Sequence, residues 1–277
     1  MAASSRGRQP LSSDMLTLYH YDRSTAAQRV RLLLEEKGLV WKSVIVDTAR
    51  GDIDQLPETY HEINPKGLVP TIEIAGVGIP ESLVILEYLE DAFPDPSFRP
   101  AAPEDRAMMR LWMRRIDDGI HVASRTIGVC IVNRHIYLEQ GAEKIRTYHD
   151  NMRDLVRRDN DQVNIELGLD SPLLPAALGR FRVLFEEMND RLARNGWLAG
   201  DSYSLADIAL VVYLRRMESF MMAPLWDHMT YLNDWYARIA ARPAYITAVI
   251  DWGDITSSKR AEHGKAAFAD IARLWQG

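Results

Sequence analysis

The chain has 277 residues, room for one large or two modest domains that each bury a core. Its net charge of -6 gives no basic footprint for nucleic acid, and no continuous apolar run is long enough to span a bilayer, so neither a nucleic-acid partner nor a membrane span is expected. One cysteine, Cys130, rules out an intramolecular disulfide and any CxxC redox pair, which fits a reducing, cytoplasmic setting.

Residues 1–14 are polar and lack an apolar h-region, so they read as a mobile tail rather than a secretory signal. Residues 15–21 read as a short buried strand and residues 25–37 as a helix stopped by Gly38, with Ala27, Val30 and Leu34 on one face. Residues 40–46 form the next strand. At the first strand-to-helix turn, Ser24 is placed to cap the helix N-terminus. The same hydroxyl, or that of Thr25 beside it, can donate to a thiolate and lower its pKa together with the helix terminus.

The next informative stretch runs from Asn64 through Lys66, Val69 and Pro70 to Ile74. Pro70 stands where an alternating strand begins, a position at which a proline costs no ladder bond. A cis bond before it would leave the Val69 N–H and C=O free to pair with an extended peptide. Ala75-Gly76-Val77-Gly78 reads as a hairpin turn, and Glu81-Ser82 open an apolar helical run over residues 83–89. A helix N-terminus suits a carboxylate at Ser82, while Glu81 suits an ammonium, so the pair fits a zwitterionic peptide.

Four prolines, Pro94, Pro96, Pro100 and Pro103, mark a linker over residues 94–105 between a first domain at 15–93 and a second at 106–277. Beyond it the pattern is helical over 106–137, 174–194, 205–222 and 229–241, with a charged segment at 139–158. The stretch 139–175 is longer than a compact helical connection and reads as a lid or partner-binding excursion. Asp117, His121 and Arg125 recur at i and i+4 and read as a solvated or interdomain salt-bridge face. Cys130, set among Gly128, Val129, Ile131 and Val132, reads as a core residue. So do Trp112, Met113, Tyr213, Met217 and Met221, although they can also be placed along a pocket. Ser204-Leu205-Ala206-Asp207 has capping-box spacing, with Tyr203 and Ile208 as its staple. No HExxH, GxGxxG or Walker spacing occurs, so no metal site is expected.

Val69-Pro70, Glu81-Ser82 and the Ser24 segment together resemble the glutathione transferase superfamily, serine type. The resemblance implies an α+β chain with a thioredoxin-like N-terminal domain followed by an all-α domain, and glutathione as co-substrate. It gives Val69 the pairing with the cysteinyl backbone, Lys66, Pro70, Glu81 and Ser82 the rest of the glutathione site, and Ser24, or Thr25, the activation of the thiol. The run from Tyr19 to Ser24, ending in Arg29-Val30-Arg31, is locally similar to the zeta class, but Ala26 stands where zeta isomerases usually carry a cysteine. Ser124-Arg125-Thr126-Ile127-Gly128 and the long 139–175 segment resemble the bacterial β-aryl etherase branch, which implies a small aromatic ether as electrophile. Family architecture also implies a homodimer or a heterodimer with a related chain. General conjugation, isomerisation and a non-catalytic glutathione-binding subunit are the competing readings.

Overall fold

The computed structural model describes residues 16–46, 58–150, 152, 154–253 and 259–276, so the tail expected at 1–14 lies outside the described residues. Four short strands, β1 (Thr17–His20), β2 (Lys42–Ile45), β3 (Thr71–Ile74) and β4 (Val77–Pro80), form one sheet in the order β2-β1-β3-β4. β1 runs parallel to β2, with Leu18 opposite Ser43, and antiparallel to β3, with Leu18 opposite Ile72. Leu18, Ile72 and Ile74 are buried, as the alternation in β3 requires. The turn into β4 is tighter than the sequence suggests. Ala75 and Gly76, both at positive φ, make a two-residue hairpin loop, and Val77 and Gly78 already belong to the strand.

Three helices accompany the sheet: α1 (Thr25–Glu36), α2 (Glu58–Ile63) and α3 (Ser82–Ala92). Ala27, Val30 and Leu34 are buried as their spacing predicts, but Arg29 and Arg31 are buried as well. Their burial follows from the second half of the chain, whose helices cover the outer side of α1.

That half begins with α4 (Pro103–Arg115), α5 (His121–Gly128) and α6 (Arg134–Gln140), joined by π turns into one long course. The course kinks at Gly119, where φ is 132° and an added Cβ would stand 2.9 Å from Arg180 Nη1. Residues 139–175 are not a loop excursion: α7 (Ala142–Asp150) and α8 (Leu155–Leu167) fill them and pack back on the α5–α6 course. α9 (Leu174–Leu192), α10 (Leu205–Glu218), α11 (Thr230–Ala240), the short α12 (Pro243–Tyr245) and α13 (Lys259–Gln276) complete the bundle. α10 ends four residues before its expected limit, because the chain turns at Phe220 and Met221 takes φ 61°.

α10 is the central helix, with every residue from Leu205 to Leu214 buried. The capping box at its start is present: Ser204 Oγ accepts from the Ala206 N–H, and Asp207 Oδ2 accepts from the Ser204 N–H at 2.9 Å. Asp207 Oδ1 also accepts from the Leu198 N–H and from Trp235 Nε1 at 2.8 Å, tying three segments together. Tyr203 lies against Phe98 and Trp197. Trp112, Met113, Tyr213 and Met217 are buried in the core, and Cys130 is buried with its Sγ donating to Asn164 Oδ1 at 3.4 Å. Burial pushes the Cys130 thiol up to about 12, the signature of a packed rather than reactive cysteine. Among the described residues no helix is long and apolar enough to cross a membrane and no acidic, His or Cys cluster could hold a metal.

Within the first half, the buried Lys37 Nζ meets Glu90 at 2.8 Å and donates to the Phe93 and Pro96 carbonyls, tying the end of α1 to the end of α3; across the halves, Arg242 grips Glu36 with Nε and Nη2.

Candidate active site

A cleft of about 600 Å³ opens between the β1–α1 turn and the helical wall, within the range of small-molecule sites. Tyr21, Asp22, Arg23, Ser24 and Thr25 form one side, Leu68 and Val69 another, and the α5–α6 course with α7, α8, α10 and α13 the helical wall.

The β1–α1 turn is held by Arg31. Its Nη1 donates to the Tyr21 carbonyl, its Nη2 to the Asp22 carbonyl and its Nε to the Ala248 carbonyl, so a buried guanidinium with no carboxylate partner among the described residues is satisfied by main-chain oxygens. His20 Nδ1 stands 2.9 Å from Arg31 Nη1. Burial first, then the Arg31 charge, hold His20 down to about 4, so the ring is neutral and accepts at Nδ1. Ser24 then caps α1, accepting from the Ala27 N–H at 3.2 Å. A hydroxyl that accepts one bond still has its own proton to donate, so capping and a contact to a ligand coexist.

Val69 precedes a cis bond to Pro70. The approach to it is clamped from behind, where Tyr60 Oη and Asn64 Nδ2 donate to the Leu68 carbonyl and Asn64 Nδ2 reaches Thr71 Oγ1 at 3.0 Å. Among the described residues the Val69 N–H and C=O have no partner of their own, and Val69 faces the cleft. Such a pair of orphaned groups has the geometry to pair with an extended peptide backbone.

Glu81 carries φ 69° at the start of α3, a left-handed conformation that side chains avoid and that native structures retain chiefly at binding sites. Its carboxylate pairs with Lys66 Nζ at 2.7 Å, and both side chains are largely exposed. Ser82 is buried and accepts from Arg29 Nη1 at 3.3 Å. Ser24, Thr25 and Val69 therefore share the cleft wall, whereas Lys66, Pro70, Glu81 and Ser82 lie beside it.

Arg29 continues inward, donating from Nη2 to Tyr213 Oη at 2.7 Å, and Tyr213 Oη in turn stands 3.1 Å from His121 Nδ1. His121 lies deep in the concavity and yet stays open to solvent. Loss of solvation, then the charges of Arg29, Arg157, Arg125 and Arg216, push it down to about 3, so it is neutral at physiological pH. Asp117, His121 and Arg125, expected to share a solvated or interdomain salt-bridge face, do not pair with one another, although Asp117 and His121 are exposed. The kink at Gly119 breaks the helical register, Asp117 turns to solvent, and Arg125 instead grips Asp161 of α8 with two nitrogens and donates to Tyr148 Oη at 2.6 Å.

The glutathione S-transferase N-terminal domain profile matches residues 18–97 and the C-terminal domain profile matches residues 165–243. Protein LigF of Sphingobium sp. strain SYK-6 is 30% identical over 235 residues, which span 83% of this chain and 91% of that protein. The chain belongs to the glutathione S-transferase family. The crystal structure of beta-etherase LigF superposes with a TM-score of 0.76 at 26% identity, over 86% of this chain and 99% of that one. A theta-class transferase from Xanthomonas axonopodis pv. citri, solved with glutathione bound, superposes at 0.60 with 25% identity, over 85% of this chain and 97% of that one. The maleylacetoacetate isomerase of Pseudomonas aeruginosa is 27% identical, over 83% of this chain and 93% of that protein. Glutathione is the co-substrate of this family, and the transferase fold here is the expected one, a thioredoxin-like domain followed by a helical one.

The sequence alone did not single out Arg157, Arg216 or Arg260, gave Arg31 no role beyond its place in the family-like run, and placed Arg125 on a solvated or interdomain salt-bridge face. α13, which carries Arg260 to the cleft, was not expected, although Ala261, Gly264, Ala267, Ile271 and Trp275 repeat at helical spacing and are all buried.

Proposed function

We propose that this transferase ionises the thiol of glutathione at Ser24 and uses it to cleave β-aryl ethers of the kind found in lignin-derived aromatics. The observation that carries the reading is the likeness to LigF over nearly the whole of both chains, joined to a cleft in which Ser24 and Val69 face a wide helical wall. In this reading Val69 pairs with the cysteinyl backbone, Ser82 and the α3 N-terminus hold the γ-glutamyl carboxylate, and Glu81, steadied by Lys66, takes the γ-glutamyl ammonium. Ser24 and the α1 N-terminus stabilise the thiolate. Thr25 is the more buried of the two hydroxyls, which favours Ser24.

The sulfur attacks the carbon bearing the ether oxygen, made electrophilic by an adjacent ketone. A C–S bond forms, the C–O bond breaks, and its electron pair leaves with the aryloxide, which takes a proton from water. Orientation of the two reactants and thiolate activation supply the rate. Isomerisation is the second reading, favoured by the likeness to maleylacetoacetate isomerases and opposed by Ala26 in place of a cysteine. A cytoplasmic dimer, with itself or with a related chain, is part of the proposal.

The test is phenol release from a racemic β-aryl ether ketone with and without glutathione, with the remaining enantiomers separated by chiral chromatography. Release that depends on glutathione supports the reading. No release, with glutathione binding verified by calorimetry, sets it aside in favour of another electrophile.

A further inference from the structure

The cleft is far more positive than the protein that contains it. The chain carries a net charge of -6, yet five arginines, Arg23, Arg125, Arg157, Arg216 and Arg260, stand in the cleft wall, and among the described residues Asp22 is the only carboxylate lining it. Arg125 is neutralised from behind by Asp161, and Arg23 lies near Asp22. Among the described residues the other three have no carboxylate partner. Arg216 donates to the Arg23 carbonyl, Arg260 Nη1 donates to Asn133 Oδ1 at 3.2 Å, and Arg157 Nε is buried with no hydrogen-bond partner among the described residues. These three come from α10, α13 and α8, so separate elements bring guanidinium groups to the wall of the same cleft that the Ser24 turn lines.

Such a gathering of guanidinium groups is costly without a counter-charge. Burial first, then Arg260 and Arg23, push Arg216 down to about 9, and burial with Arg23 pushes Arg260 down to about 10. An arriving anion relieves this repulsion, and a carboxylate matches the planar fork of a guanidinium in two parallel bonds. Glutathione brings carboxylates of its own, but the residues suited to its γ-glutamyl end, Ser82 and the α3 N-terminus, lie beside the cleft rather than in this wall.

We propose that the acceptor of this cleft is an aromatic ether bearing an ionised carboxylate, held by Arg157, Arg216 and Arg260. The proposal rests on the etherase reading for its chemistry, which is the displacement described above, but its recognition element is testable without turnover.

The direct probe is 4-phenoxybenzoate against its methyl ester, titrated by calorimetry into the full-length protein saturated with S-methylglutathione, whose blocked thiol prevents reaction. The acid should bind at least about tenfold more tightly than the ester, as charge-assisted bonds require. In Arg260→Gln and in Arg157→Gln that acid-to-ester ratio should collapse towards one, while the affinity for S-methylglutathione stays within about twofold. Equal binding of acid and ester by the wild-type protein would overturn the proposal. So would variants that weaken S-methylglutathione as much as the acid, which would assign the arginines to the carboxylates of glutathione. A second arm compares phenol release from an aryl ether ketone carrying a ring carboxylate with release from its methyl ester. Acid-selective binding with no release from either compound would leave the anion site standing and refute the etherase reading alone. Release from both at equal rates would support the etherase and refute the anion site.

Discussion

Replacing Ser24 separates its two roles. As the cap of α1 it accepts one bond from the Ala27 N–H, and losing a cap costs about 1 kcal/mol, or about 2–4 °C in Tm for a chain of this size. As the proposed donor to the thiolate it would supply a hydrogen bond to a charged group, worth about 1.5–3 kcal/mol. At 1.36 kcal/mol per unit, Ser24→Ala should therefore raise the pKa of bound glutathione's thiol by about 1–2 units and lower kcat/KM near neutral pH by roughly 10- to 100-fold. Ser24→Gly removes the same hydroxyl but costs only a few tenths of a kcal/mol as a cap, so it should match the alanine variant in thiol pKa while melting closer to the wild type. The assay is the thiolate absorbance of the glutathione complex, titrated against pH for all three proteins, with thermal melts alongside. A thiol pKa that stays within about 0.3 units of wild type in both variants would refute the assignment, since the estimated bond energy demands more, and would pass the role to Thr25 or to the α1 N–H groups.

Ser82→Ala should raise the dissociation constant for glutathione by roughly tenfold or more in calorimetry, with little change in Tm, because its bond to Arg29 is long and Arg29 keeps Tyr213; an unaltered constant removes the γ-glutamyl grip. Asp207→Asn keeps the size of a buried side chain that accepts from Leu198, Ser204 and Trp235 but turns one acceptor oxygen into a donor, so it should cost about 2–4 kcal/mol and lower Tm by about 5–12 °C. A drop under about 2 °C would mean that the capping network is dispensable. His20 titrates at about 4 in the fold against 6.5 in the unfolded chain. The unfolded chain thus takes its proton first as pH falls, and the stability this contributes is whole above 6.5 and is lost between 6.5 and 4, at up to about 1.4 kcal/mol per pH unit. Urea unfolding at pH 7 and pH 5 should show that loss, and His20→Gln should reduce it; an unchanged slope would show that His20 is not the sensor.

Local signals carried the reading of the N-terminal half. The alternation around Ile72 and Ile74, the proline before them, the two hydroxyls at the first helix and the Glu-Ser pair at another are all encoded within a few residues of one another, and each marks a position that a short segment dictates. What escaped the sequence depends on residues far apart in the chain. Arg29 and Arg31 look like solvent-facing positions beside Val30, and only the packing of α10 and α12 on α1 buries them, with Tyr213, Ser82 and main-chain carbonyls as their partners. The spacing of Asp117, His121 and Arg125 assumes an unbroken helix, and one glycine at φ 132° removes that assumption. α13 approaches the end of α10 only because Gly264 has no Cβ, which would otherwise stand 2.3 Å from the Phe220 carbonyl oxygen. Arg260 enters the cleft wall through that approach, so its place there is a property of packing and not of any local motif.

The most direct test follows the atoms. The protein is incubated with glutathione and a β-aryl ether ketone, and the products are identified by mass spectrometry and counted against the phenol released. One glutathione thioether of the ketone per phenol, with the sulfur on the carbon that carried the ether oxygen, is the expected outcome. Phenol without a thioether, or a thioether with the ether bond intact, would contradict displacement by the Ser24-activated thiolate.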